Sequence, residues 1–231
     1  VVSHLFAIAV LAVATFMLAT GVGEHGTVLS GMFVRDTAAD VMKVTICVVG
    51  ILSMIYTWPY LRARDLYKGE VSVLMLFAIA GMMLLVSSGS LVMVYLGLEM
   101  LALCSYALVA VDRDSPLASE AAIKYFVLGA LASGLLLYGL SLVYGATGSL
   151  QLDQIAVATQ QRIAEGNSLM LITAVVFIVA GIAFKFGAAP FHMWLPDVYH
   201  GAPTPITVFI GSAPKLAAFG LTYRLLEIGG P

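Results

Sequence analysis

Long apolar runs restrict the possible folds of this chain more than any other feature of its sequence. Seven predominantly apolar stretches follow one another, separated by shorter polar segments. A helix of about 20 apolar residues crosses the hydrocarbon core of a bilayer, and a helix satisfies its backbone polar groups internally. The sequence therefore predicts an all-α, polytopic transmembrane helix bundle. The seven predicted spans are residues 1–20, 37–60, 71–86, 91–111, 117–144, 167–189 and 206–228.

The composition supports membrane insertion and argues against other classes of protein. Of the 231 residues, 61% are hydrophobic and 10% are charged, whereas soluble domains carry about 25% charged residues. The net charge of -2 and the absence of basic clusters give no reason to propose nucleic acid as a partner. Residues 1–23 hold no Lys, Arg, Asp or Glu, and the chain begins with Val, so we expect a piece of a longer protein.

Basic residues are distributed unevenly between the connecting segments. The segment at residues 61–70 carries Arg62, Arg64 and Lys68. Cytoplasmic loops of membrane proteins are enriched in Lys and Arg. We therefore place this loop in the cytoplasm.

Four of the predicted spans carry a notable ionisable side chain, and these are Glu99, Lys124, Lys185 and Lys215. Glu99 is the most deeply placed, because 28 uncharged residues precede it and 12 follow it. A charged side chain at the centre of a membrane helix costs roughly 2.5 to 3.5 kcal/mol, which indicates a functional site with a partner. Burial disfavours the charged form of each group, and a nearby opposite charge favours it. A glutamate that moves relative to a lysine can therefore switch proton release, as a proton relay requires.

Less specific roles stay open for these residues. Glu99 could be a static ion-pair partner that only fixes helix packing. Lys124 and Lys215 lie within two turns of a helix end, where a long side chain can extend to the membrane interface. Both alternatives would leave the residues buried or half-buried without a transport role.

Residues 181–215 join the last two predicted spans and read GIAFKFGAAPFHMWLPDVYHGAPTPITVFIGSAPK. Proline breaks a helix, and broken helices persist at membrane depth where the freed backbone lines a polar cavity. His192 lies in this proline-rich turn, and histidine side chains suit proton exchange near neutral pH. The role of His200 stays open. Two histidines without a clustered thiol or second acid make a poor metal-ligand set, so we predict an ion or proton path rather than a metal site.

No dinucleotide-binding, phosphate-binding or haem-binding motif occurs in the chain. Cys47 and Cys104 lie in different apolar runs and match no disulfide or metal pattern. We therefore expect the chain to hold no cofactor itself.

Three stretches carry a resemblance to a known family. They are LGLEMLALCSYALVA around Glu99, EAAIKYFVLGA around Lys124 and FKFGAAPFHMWLPDVYHGAPTP at residues 184–205. In this combination the sequence resembles the antiporter-like membrane subunits of respiratory complex I, the NADH:quinone oxidoreductase. L-type, M-type and Mrp antiporter relatives usually read like PLHTWLPDAH in the third stretch. The residues that favour the N-type subunit are Phe191, Met193, Val198, Tyr199 and Gly201.

The resemblance implies a proton-translocating subunit without redox centres, driven by quinone chemistry elsewhere in the complex. It implies that Glu99 and Lys185 form a switching pair. Lys124 and Lys215 would carry protons along a hydrated central axis, and His192 would lie near that path. FMN, iron–sulfur clusters and quinone are expected in other subunits. The expected partners are M-type and K-type subunits, the lipid bilayer and protons, and the expected location is the bacterial inner membrane, crossed several times.

Members of this family contain inverted repeats of five helices, each with one broken helix. By this resemblance, the chain is a single transmembrane domain in which residues 1–70 hold two N-terminal helices and a charged loop. Residues 71–231 would hold the first five-helix repeat, and the second repeat is missing. An Mrp-type sodium/proton antiporter subunit, which has no redox partner, is the alternative. A purely structural membrane scaffold is a third hypothesis.

Overall fold

The computed structural model describes residues 2–21 and 25–226 of the chain. Within these residues the fold consists of nine helices and one two-stranded hairpin. In chain order they are α1 (Val2–Ala19), β1 (Gly26–Val28), β2 (Phe33–Arg35), α2 (Thr37–Ala63), α3 (Gly69–Val86), α4 (Leu91–Val109), α5 (Pro116–Thr147), α6 (Leu152–Ala164), α7 (Leu169–Phe186), α8 (Trp194–Gly201) and α9 (Thr204–Leu226).

Seven of the helices in the described part are long and apolar enough to cross a membrane, and they are α1, α2, α3, α4, α5, α7 and α9. This result confirms the predicted all-α polytopic bundle with about seven spans. Val1 of the first predicted span and residues 227–231 at the end of the chain lie outside the described residues, as do residues 22–24.

Polar side chains cap the N-termini of three of the long helices. At the start of α2, the Asp36 carboxylate accepts a hydrogen bond of 2.7 Å from the backbone N–H of Ala39. Ser90 and Ser115 cap α4 and α5 in the same way. Each such cap satisfies an N–H group that has no partner inside its helix and contributes about 1 kcal/mol. The polar residues between the apolar runs therefore determine where these spans begin.

Glycines let two pairs of helices approach closely. A Cβ atom added at Gly81 would lie 2.8 Å from the carbonyl oxygen of Gly97, across the contact between α3 and α4. One added at Gly139 would lie 2.9 Å from the carbonyl oxygen of Ala174, across the contact between α5 and α7. Membrane helices commonly pack through such small residues. These two close helix contacts include α4, which carries Glu99, and α7, which carries Lys185.

The helix α7 ends before residue 189, which was the predicted end of its span, because Gly187 adopts a φ of 72° in the left-handed region. The backbone N–H of Gly187 donates to the carbonyl of Phe184 at 3.0 Å, and that of Ala188 donates to the carbonyl of Ala183 at 2.9 Å. These bonds close the helix in a Schellman motif. The chain then turns into the short helix α8.

The connection between α1 and α2 contains a small hairpin that the sequence did not predict. β1 and β2 pair antiparallel, with Gly26 opposite Arg35. The backbone N–H of Val34 donates to the carbonyl of Ser87 at 2.8 Å, in the turn between α3 and α4. The hairpin therefore covers the end of the α3–α4 pair.

An ion pair joins the start of α2 to the end of α9. Arg224 is 5% exposed, and its guanidinium donates to the Asp36 carboxylate at 2.6 Å and to the carbonyl oxygen of Val86 at 3.0 Å. Burial alone would raise the pKa of Asp36. The hydrogen bonds from Arg224 and the Ala39 N–H, with the charge of Arg224, outweigh burial and hold that pKa below its usual value. Arg224 thereby links α2, α3 and α9.

Candidate functional site

The side chain of Lys185 lines a small cavity inside the bundle. Lys185 belongs to the last turn of α7, and residues of α3, α4, α5, α8 and α9 complete the wall. The cavity has a volume of about 20 Å³, and roughly 10 to 15 Å³ is enough for one water molecule. Ser105, Tyr125 and Trp194 also contribute to a lining that is otherwise apolar. The half-buried Lys185 side chain therefore lies beside a space that a single water could occupy.

Glu99 lies on α4, and its carboxylate oxygen Oε1 is buried without a hydrogen-bond partner. Within the part of the chain that the structure describes, no ion pair or hydrogen bond joins the side chains of Glu99 and Lys185. Leu98, the residue before Glu99, lines the Lys185 cavity. An unpaired buried oxygen is unfavourable, so Oε1 lacks the hydrogen-bond donor that its burial requires. Because no direct bond joins the two side chains in the described part of the structure, a proton that passes between them needs a carrier.

Lys124 lies on α5 at the junction with α8, outside the cavity. Its Nζ atom is 2.8 Å from a carboxylate oxygen of Glu120 and 3.0 Å from one of Asp197. The side chain of Lys124 is 42% exposed. Tyr125, the next residue, does line the cavity. Lys124 therefore lies beside the cavity wall and pairs with two exposed carboxylates.

Lys215 follows Pro214 on α9, and its side chain reaches the broken end of α7. Its Nζ atom donates to the backbone carbonyls of Phe186 and Lys185, the second at 3.4 Å. The same atom lies 5.4 Å from the centroid of the Trp194 ring, within the range of cation–π attraction. Lys215 therefore contacts the backbone of Lys185 directly.

His192 lies just before α8 and His200 lies in its last turn, and both residues are exposed. Neither residue lines the Lys185 cavity. Among the described residues, 2–21 and 25–226, no group of three or more His, Cys, Asp or Glu side chains could hold a metal ion. Of the five predicted site residues, the structure brings Lys215 to the end of α7 that carries Lys185, and it places Glu99 next to Leu98, a residue of the cavity wall.

The sequence patterns did not single out Tyr125 and Trp194, which line the cavity, or Tyr106, which packs against Tyr125. The rings of Tyr106 and Tyr125 meet edge to face at 4.8 Å, and Tyr125 stacks on Trp194 at 4.7 Å. Tyr106 follows Glu99 by about two helical turns, so helical spacing was a signal that could have found it. The contact between Tyr125 and Trp194 joins separate helices, and no local pattern predicts it.

Seven apolar spans, a buried acid and a helix that breaks beside a lysine are features of the antiporter-like class of membrane subunits. The chain belongs to the family described as NADH:quinone oxidoreductase/Mrp antiporter, TM, whose family model matches residues 88–229.

The curated relatives share one subunit type. The chain is 66% identical over 230 residues to NADH-quinone oxidoreductase subunit N of Xanthomonas euvesicatoria pv. vesicatoria, and the match covers 99% of this chain and 47% of that protein. It is 57% identical over 208 residues to subunit N of Acidithiobacillus ferrooxidans, with 90% of this chain and 43% of that protein covered. The chain therefore spans about half the length of these relatives. These similarities confirm the resemblance to the N-type subunit.

Solved structures share the same fold. A chain in respiratory complex I from Thermus thermophilus with bound aureothin matches with a TM-score of 0.81 and 33% identity, over 96% of this chain and 47% of that one. A chain of the Mrp complex from Dietzia sp. DQ12-45-1b matches with a TM-score of 0.77 and 22% identity, over 97% of this chain and 43% of that one. At 22% sequence identity, the similarity to the Mrp complex chain shows a shared fold and nothing more.

Proposed function

We propose that this chain is part of a proton-translocating membrane subunit of NADH:quinone oxidoreductase in the bacterial inner membrane. The observation that carries the proposal is the position of Lys185 on an internal cavity whose wall includes Leu98, the residue before Glu99. Quinone reduction in other subunits drives the proton movement, and FMN and the iron–sulfur clusters belong to those subunits. The M-type and K-type membrane subunits are the neighbours in the complex.

Lys185 is the group that holds and releases the proton. In this switch, a negative charge on Glu99 favours the ammonium form of Lys185, whereas burial disfavours it. When the carboxylate is neutralised or moves away, the ammonium loses that support. The proton then passes from Nζ to a carrier in the cavity and leaves a neutral amine. Lys215, which contacts the Lys185 backbone, is the next group along the bundle.

Lys124 and His192 exchange protons with the exposed side of the break. Lys124 pairs with Glu120 and Asp197, whose exposed carboxylates can collect protons from the surface. Histidine side chains exchange protons near neutral pH, and His192 is exposed in the same turn. Tyr125, which follows Lys124 and lines the cavity, connects this surface to the interior.

The energy of such a switch matches the work of transport. Moving one charge against about 100 mV requires about 2.3 kcal/mol. Two unit charges about 4 Å apart interact by about 4 kcal/mol at an effective dielectric constant of about 20. Glu99 and Lys185 form no such ion pair in the described part of the structure, so the proposed switch includes a movement that brings the two groups to about this distance and apart again.

Substitution of Glu99 tests this function. In the full-length subunit within the assembled complex, we expect Glu99→Gln to lower NADH-driven proton pumping and coupled quinone reduction about tenfold or more, while assembly persists. The matched control is Glu70→Gln, because Glu70 is an exposed residue paired with Arg113. The control should pump at the wild-type rate. Normal pumping with Gln at position 99 would falsify the switch.

The family also includes Mrp antiporters, so a sodium/proton exchanger without a redox partner is the second candidate. Sodium-dependent proton exchange in vesicles without NADH would favour this function. A purely structural scaffold makes a different prediction, because it should tolerate Lys185→Ala in every transport assay.

A further inference from the structure

The broken end of α7 leaves backbone carbonyls that need partners inside the bundle. The last four carbonyls of a helix have no acceptor role within the helix, and at membrane depth water does not replace the missing donors. The turn at Gly187 satisfies the carbonyls of Ala183 and Phe184. The carbonyls of Lys185 and Phe186 remain, and they belong to the turn that carries the candidate proton-holding residue.

The Lys215 ammonium supplies the donors for these two carbonyls. A cation at a helix C-terminus is also favoured by the helix dipole. Gly187 leaves room for it, since a Cβ atom at this position would lie 3.3 Å from Lys215 Nζ. One lysine of the proposed relay therefore caps the helix that carries another.

Trp194 contacts both the end of α7 and the Lys215 ammonium. Its side chain is buried, and its indole N–H donates to the carbonyl of Phe184 at 3.0 Å. The ring stacks on Tyr125 with an interplanar angle of 15°. The Lys215 ammonium lies 5.4 Å from the ring centroid. Trp194 is thus in contact with α5, α7 and α9 at once.

We propose that Trp194 is a positioning residue that fixes the end of α7 and the Lys215 ammonium relative to each other, and so sets the path between Lys185 and Lys215. This inference rests on the proposed function. Trp194 exchanges no proton itself. Without the indole N–H, the last turn of α7 loses one of its two side-chain donors, and the Lys185 side chain has less defined distances to Glu99 and Lys215.

The test is Trp194→Phe in the full-length subunit within the assembled complex, with Trp58→Phe as the matched control. Phe keeps a ring against Tyr125 and removes the indole N–H. The Trp58 indole nitrogen is buried without a hydrogen-bond partner among the described residues, so the same substitution there removes no bond to an acceptor. Proton pumping per assembled complex is measured across a range of pH values.

We expect Trp194→Phe to lower pumping per complex about fivefold, the rate equivalent of about one net hydrogen bond, and to change the pH profile. Trp58→Phe should keep the rate and the profile of the wild type. If Trp194→Phe does not assemble, Trp194→His, which keeps a ring N–H, is measured instead. It should assemble and keep the wild-type pH profile, and failure of this variant as well would contradict a role for the N–H.

Two results would overturn this inference. One is a Trp194→Phe complex with the rate and pH profile of Trp58→Phe. The other is a lower amount of assembled complex whose remaining pumping has the wild-type pH profile, as a merely structural role predicts. Lys185→Ala separates this inference from the proposed function. If Lys185→Ala abolishes pumping while Trp194→Phe has no effect, only the role of Trp194 fails, whereas full activity of Lys185→Ala contradicts the function itself.

Discussion

Glu99 shows how far a single residue can be understood from the sequence. The long uncharged runs on both sides of it predicted its burial, and the structure places its Oε1 atom in the interior. The sequence also placed Lys124 on a span, but it did not predict the exposed contact with Asp197. That contact depends on how α8 folds back over α5, which local spacing does not encode. Depth in a span was therefore predictable, and the identity of the partner was not.

Asp36 offers a test of electrostatics at the level of one residue. Its carboxylate pairs with the buried Arg224, and its pKa lies below the usual value. A lowered pKa means that the pair stabilises the fold above the unfolded pKa of about 3.9 and loses this effect as the pH falls through the folded pKa. Because the Asp36 side chain is 38% exposed and solvent screens its charge, we expect Asp36→Asn to lower the free energy of unfolding by roughly 1 kcal/mol at neutral pH.

Thermal unfolding of the purified full-length subunit in detergent checks this prediction. The difference between wild type and Asp36→Asn should be several degrees at neutral pH and should vanish in strong acid, where the wild-type carboxylate is protonated as well. Asp114→Asn, at an exposed loop residue, is the control and should leave the midpoint unchanged. An equal difference at both pH values would show that the ion pair does not contribute through its charge.

At the level of elements, the sequence predicted the spans better than the connections. Apolar runs and polar caps determine where the long helices begin, and these signals are local. The hairpin is different, because its strands have three residues each and are held by backbone bonds to the α3–α4 turn. The end of α7 also differed from its predicted position, since the backbone conformation of Gly187 stops the helix before the apolar run ends. Local composition predicts neither the pairing of the hairpin with the α3–α4 turn nor the end of α7 at Gly187.

The backbone conformation of Gly187 determines where α7 ends. Its φ of 72° lies in the left-handed region, where an L-residue costs roughly 1 to 2 kcal/mol. An added Cβ atom would also collide with Leu195 and approach the Lys215 ammonium. We expect Gly187→Ala to lower the thermal midpoint of the full-length subunit by several degrees.

Gly134→Ala is the matched control, because Gly134 lies within α5 and a Cβ atom there meets nothing within 4 Å. Alanine is the better helix former by about 1 kcal/mol, so this variant should be as stable as the wild type or more stable. If both glycine substitutions had the same effect, the special conformation at the end of α7 would not matter for stability.

At the level of the whole molecule, the site exists only because helices distant in sequence meet. Glu99 comes from α4, Lys185 from α7 and Lys215 from α9. Hydrophobic periodicity predicts that these helices are buried in a bundle, but it does not give their rotation or their order in space. Close packing through Gly81 and Gly139 fixes two of the pairs. The division into two N-terminal helices and a five-helix repeat stays a prediction.

The most direct test of the central claim is a double-mutant cycle on proton pumping, measured per assembled complex with Glu99→Gln, Lys185→Met and the double variant. If the two side chains act as one switch, the first substitution already removes what the second would remove. We therefore predict that the double variant pumps no more slowly than the slower single variant. Independent losses that multiply in the double variant, within the about 0.5 kcal/mol expected for uncoupled sites, would contradict a shared function of Glu99 and Lys185.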